Sequence, residues 1–120
     1  MMKENVLKEK SFAFAIRVVN LYKFLCKEKN EFVLSKQVLR AGTSVGAMVR
    51  ESEHAESKSD FIHKLAIAQK EINESIYWLE LLFKTEFISI DQFESLNQNA
   101  VEIIKLITAS IKTAKGKTNH

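Results

Sequence analysis

Residues 37–82 read QVLRAGTSVGAMVRESEHAESKSDFIHKLAIAQKEINESIYWLELL. Two amphipathic helices joined by a serine-rich turn account for this pattern. In the first half, Val38, Ala41, Val45, Met48, Ser52 and Ala55 step by three and four, the spacing that gathers side chains on one helix face. In the second half, Phe61, Leu65, Ala68, Ile72, Ser75, Leu79 and Leu82 do the same. Between them Ser57 and Asp60 have the spacing of a capping box, with aspartate as the reciprocal partner and Ser59 as a rival cap. Gly42 and Gly46 lie four apart on the first helix. Each costs a helix interior about 1 kcal/mol against alanine. A close helix crossing is the favoured reason for tolerating them, with a kink or a ligand-facing groove as alternatives.

Working outward, residues 5–29 form another helix. Phe14, Val18, Leu21 and Leu25 make one apolar stripe, and Phe12, Ile16, Val19 and Cys26 make a second, offset one. Two stripes imply a helix covered on more than one side. Residues 27–31, KEKNE, are a polar exit turn. Ser35 is the expected N-cap of the next helix, over residues 36–56. The third helix covers residues 58–85. Ser89 and Gln92 then fit a capping box for a fourth, over residues 90–113. Its seam is Phe93, Leu96, Ala100, Ile103, Ile107 and Ser110. Residues 114–120 are expected to be a polar, disordered tail. Short connections force antiparallel neighbours, so the chain is expected to be an all-α, up-down-up-down four-helix bundle forming one domain.

Composition agrees. The 120 residues contain no proline and three glycines, too few for the turns of a β-rich domain. One cysteine, Cys26, cannot make an internal disulfide, which suits a reducing compartment; among Phe24 and Leu25 it reads as a small hydrophobe. No targeting signal is evident and no apolar run is long enough to span a membrane. The expected location is the cytoplasm. The net charge of +3 is mild. Much of it sits at the ends, with Lys3, Lys8 and Lys10 at one and Lys112, Lys115 and Lys117 at the other. Solvated termini explain these lysines more readily than contact with an anionic polymer.

One bundle needs one buried stripe per helix, and the first and third helices carry more. Tyr22, Phe24, Tyr77, Trp78 and Phe83 are candidates for a surface left outside, and such patches mark partner interfaces. Homo-oligomerisation is the structural expectation.

Chemistry is sparse. Glu51 and His54 have a Glu-x-x-His spacing, but di-iron bundles need two such pairs and two further glutamates. His54-Ala55-Glu56 matches half of a zinc deaminase signature whose P-C-x-x-C is missing. No phosphate-binding loop or nucleophile elbow occurs, and His63 reads as a surface histidine. No catalytic residue, cofactor or metal is expected. Arg40, Arg50, Lys58 and Lys64 gather around the second helix and its turn, interleaved with Glu51, Glu53, Glu56 and Asp60. Mixed signs favour internal salt bridges, with a phosphate-gripping patch as the alternative.

Three blocks carry a resemblance: KSFAFAIRVVNLY at residues 10–22, SKQVLRAGTSVGAMVRE at 35–51 and AESKSDFIHKLAIAQKEINESIYWLELL at 55–82. Their order and spacing resemble the bacterial four-helix-bundle proteins known as 23S rRNA intervening-sequence proteins. Met48 departs from the polar residue often found there. The resemblance implies a homo-oligomer, and a pentamer by likeness to the accessory variability determinant of diversity-generating retroelements, which binds nucleic acid and a reverse transcriptase. It implies no enzymatic activity. Arg50, Glu51, Ser57, Asp60 and Phe61 match family positions and are read as structural, capping and locking the turn. The leading expectation is a non-enzymatic homo-oligomeric scaffold that binds RNA or DNA through Arg17, Arg40, Arg50, Lys58 and Lys64. The alternative is an adaptor whose partner is another protein. No membrane partner is expected.

Overall fold

Four apolar seams at helical spacing can leave water together only by facing one another. The computed structural model describes the backbone of residues 2–118 and the side chains of residues 6–116, and it shows that arrangement. The helices are α1 (Met2–Lys29), α2 (Leu34–Ser52), α3 (Lys58–Lys84) and α4 (Ile90–Thr118). Each packs on its two neighbours in the cycle α1, α2, α3, α4. The result is an all-α, antiparallel four-helix bundle measuring 52 × 22 × 20 Å.

The core is the set of facing seams. Phe14, Val18, Leu21 and Leu25 of α1 meet Val38, Ala41 and Val45 of α2, Leu65, Ala68, Ile72, Leu79 and Leu82 of α3, and Leu96, Ala100, Ile103 and Ile107 of α4. Each large member contributes about 1.5–3 kcal/mol by leaving water. The α2 seam differs from the sequence reading at one step. Val49 is buried and Met48 is only partly covered, because the helix advances four residues from Val45 rather than three. Ala55 falls beyond the helix, in the turn.

Several boundaries differ too. Helix α2 begins at Leu34, before the expected cap at Ser35. The Glu31 carboxylate caps it instead, accepting from the N–H groups of Val33 (3.1 Å), Leu34 (2.8 Å) and Ser35 (2.7 Å). The Ser35 hydroxyl is buried and donates back to the Glu31 carbonyl at 2.9 Å. The preceding exit turn has Asn30 at φ 51°, and the Glu31 N–H returns to the Leu25 carbonyl at 3.0 Å, closing the end of α1. At the other end, α4 runs through Thr118 with Ala114 buried, so the expected tail is helical as far as it is described. Asn119 and His120 lie outside the described residues, as do the side chains of Lys3 and Lys117.

The glycine pair marks a close crossing of α1 and α2. A Cβ on Gly42 would lie 2.7 and 2.8 Å from the two methyl groups of Val18. One on Gly46 would lie 3.3 Å from the backbone oxygen of Ser11. The serine itself is buried and its hydroxyl is satisfied by the Lys8 carbonyl at 3.2 Å.

Gly42→Ala is therefore expected to lose about 1–3 kcal/mol through overpacking, against its gain in helix propensity. Urea unfolding checks this, with Gly116→Ala as the control, because nothing lies within 4 Å of a Cβ there. Glu31 gives a second test. Burial opposes its ionisation, but the N–H groups of Leu34, Ser35 and Val33 outweigh that and hold its carboxyl below the ordinary value of 4.5. A lowered folded pKa means that the stabilisation is complete above the unfolded value and disappears as pH falls through the folded one. Glu31→Gln is expected to cost about 1.5–3 kcal/mol at neutral pH. It should also flatten the loss of stability below pH 4.5; an unchanged acid limb in pH-dependent urea melts would contradict the role.

Candidate nucleic-acid interface

A phosphate-binding patch needs cations that share a face and are free of internal acids. The five residues expected from sequence do not meet both conditions. Arg17 points from α1 to α4, where it donates to the Ser95 carbonyl (3.3 Å), the Ser95 hydroxyl (2.9 Å) and the Asn99 side-chain oxygen. Arg40 points from α2 to α3 and pairs with Glu71 at 3.4 Å and with Glu74. Glu74 also accepts from the Trp78 indole at 2.9 Å. That bond, with the Arg40 charge, holds its carboxyl below the usual range against the opposing effect of partial burial. Lys64 pairs with Glu51 at 3.1 Å.

Arg50 and Lys58 remain without an ion pair among the described residues. Both are exposed. The Arg50 guanidinium lies over the Phe12 ring, 4.7 Å from its centroid. Lys58 opens α3, just after the turn. In that turn the Ser57 hydroxyl accepts from the Asp60 N–H at 3.0 Å, and the Asp60 carboxylate accepts from the Glu56 N–H at 3.2 Å. The Phe61 N–H bonds the Ser57 carbonyl at 3.0 Å while its ring packs on the core. These three residues fix the turn. Glu51, of the Glu51–His54 spacing, pairs with Lys64, and among the described residues no group of three His, Cys, Asp or Glu is placed to hold a metal ion.

The surplus apolar surface is also redistributed. Phe24, Trp78 and Phe83, expected outside, are partly buried against the chain's own core. Phe12 and Ile16 of the second α1 stripe are instead about half exposed, at 50% and 49%. Tyr77 is exposed, edge-on to Trp78 with ring centres 5.0 Å apart.

The opposite end of the bundle holds a combination that charge counting overlooked. Lys29 lies over the Phe24 ring at 5.8 Å, and Lys84 over the Phe83 ring at 5.6 Å. Phe83 stacks on Phe93 of α4 at 5.4 Å with the planes 15° apart. Lysines 55 positions apart in sequence give no local pattern; the shared aromatic neighbourhood is created where the ends of α1 and α3 both flank the start of α4.

Residues 3–109 match the family model described as 23S rRNA-intervening sequence protein. Among solved structures, the chain is similar to the crystal structure of a protein with unknown function from the S23 ribosomal protein family of Bacteroides thetaiotaomicron VPI-5482. The TM-score is 0.91 at 59% identity, covering 92% of this chain and 98% of that one. No curated protein matches.

Proposed function

We propose that this chain, which belongs to the 23S rRNA-intervening sequence protein family, is a non-enzymatic helical scaffold that assembles with copies of itself and binds nucleic acid in the cytoplasm. The observation that carries the assembly is the half-exposed Phe12–Ile16 stripe of α1. It runs beside the close α1–α2 crossing, where glycine has removed side-chain bulk. A monomer gains nothing by holding two large hydrophobes in water, whereas a second copy would cover them. The likeness to the accessory variability determinant, a homopentamer, supports a five-membered assembly. The family's link to 23S rRNA intervening sequences and the exposed Arg50 and Lys58 support nucleic acid as the partner. Among the described residues no helix is long and apolar enough to cross a membrane.

Light scattering should give a multiple of the 13.8 kDa chain mass, and the Phe12→Glu/Ile16→Glu double variant should return a helical monomer. A wild-type mass of 13.8 kDa at about 100 μM protein, a concentration at which ordinary oligomer interfaces are saturated, would remove the assembly. Nucleic-acid binding should be weak and steeply salt-dependent. Arg50→Gln/Lys58→Gln should reduce the salt slope by about 1 per lost phosphate contact. Absence of any mobility shift at about 50 mM salt and high-micromolar protein would remove that partner.

A further inference from the structure

The bundle end opposite the Ser57 turn has an open cavity of about 440 Å³. Its lining includes Phe24, Lys29, Phe83, Phe87, Ile88 and Gln92. Two of these rings carry a lysine ammonium at 5.6–5.8 Å, with Lys84 reaching over Phe83 from just outside the lining. Such exposed cation–π contacts are weak, so the ammonium groups are easily turned to a stronger anion. Among the described residues neither lysine has an ion pair. The Gln92 side-chain oxygen accepts from the Ser89 N–H at 2.8 Å, which leaves its amide NH2 as a donor. Glu86 also lines the cavity and reverses the chain at φ 70°; its carboxylate repels phosphate but accepts from an exocyclic amine.

Flat apolar rings, flanking cations, one amide donor and one carboxylate acceptor match the chemistry of one nucleotide. We propose that this cavity seats an unpaired nucleobase of a single strand, stacked against the phenylalanine rings, with Lys29 and Lys84 holding the adjoining phosphates. This rests on the nucleic-acid reading above and adds to it a site and a strand preference. A base inside a duplex is already stacked and paired, and must be extruded before it can enter the cavity. Stacking on an aromatic side chain is available to any exposed base. The cavity therefore favours single strands and discriminates weakly among sequences.

The test uses the full chain with labelled single-stranded RNA, single-stranded DNA and a duplex of equal length, followed by anisotropy at low salt. At least one single strand should bind about fivefold or more tighter than the duplex, the equivalent of one stacked base. Lys29→Gln/Lys84→Gln, both on exposed residues, should weaken single-strand binding about tenfold. Phe83→Leu should erase the preference over duplex. Because Phe83 packs on the core, photocrosslinking of wild-type protein to a 4-thiouridine strand gives a readout independent of folding. Crosslinks are expected in residues 24–29 and 83–92. Binding without strand preference, or crosslinks confined to the Arg50 and Lys58 end, would overturn the cavity while leaving nucleic-acid binding intact. No binding to any of the three probes would overturn both.

Discussion

Val18 fills the space that a side chain on Gly42 would need, and the rest of the bundle is arranged around that contact. With no Cβ in the way, α1 settles against α2 closely enough to bring Gly46 to the Ser11 backbone. The rotation of α1 about its axis is set by its apolar seam. Phe14, Val18, Leu21 and Leu25 point into the core, and Phe12 and Ile16 are carried to the outside. A larger residue at position 42 would have to push the Val18 methyl groups aside. The apolar outer stripe follows from helical phase: Phe12 and Ile16 are each two residues from a core position, which places them on the opposite face of α1.

The turns at the two ends of α2 solve one problem in different ways. Orphan N–H groups at a helix start need acceptors. At the start of α3 the Ser57 hydroxyl accepts from the Asp60 N–H, while the Asp60 carboxylate accepts from the Glu56 N–H just before the cap. At the start of α2 the acceptor is the nearly buried Glu31 carboxylate, held between the end of one helix and the beginning of the next. This arrangement joins α1 to α2 by charge-assisted hydrogen bonds as well as by packing, and the lowered Glu31 pKa makes that junction pH-sensitive.

Charge follows the same economy of neighbours. The helices present acids to bases across their seams, so Arg40 and Lys64 are occupied by the bundle itself. Surface pairs of this kind contribute little to stability, about 0–1 kcal/mol each. Arg50 and Lys58 at one end, and Lys29 and Lys84 at the other, are among the cations outside these pairs, with aromatic or solvent surroundings.

Sequence alone determined the helices and most of the core through periodicity, and their antiparallel order through the short connections. A buried helical face must repeat every three or four residues, and these seams do. It also located the Ser57–Asp60 and Ser89–Gln92 caps, because a capping box is local in sequence. It misplaced the start of α2, where the cap is a glutamate four residues before Ser35 and lies outside the usual cap types. It expected α4 to end at residue 113, since a polar composition does not reveal that Ala114 still has a neighbour to bury against. Which cations are free, which aromatics face water and which lysines share a cavity were decided only by tertiary structure. These properties belong to pairs of residues on different helices, and the distance between such residues depends on how deeply the helices cross.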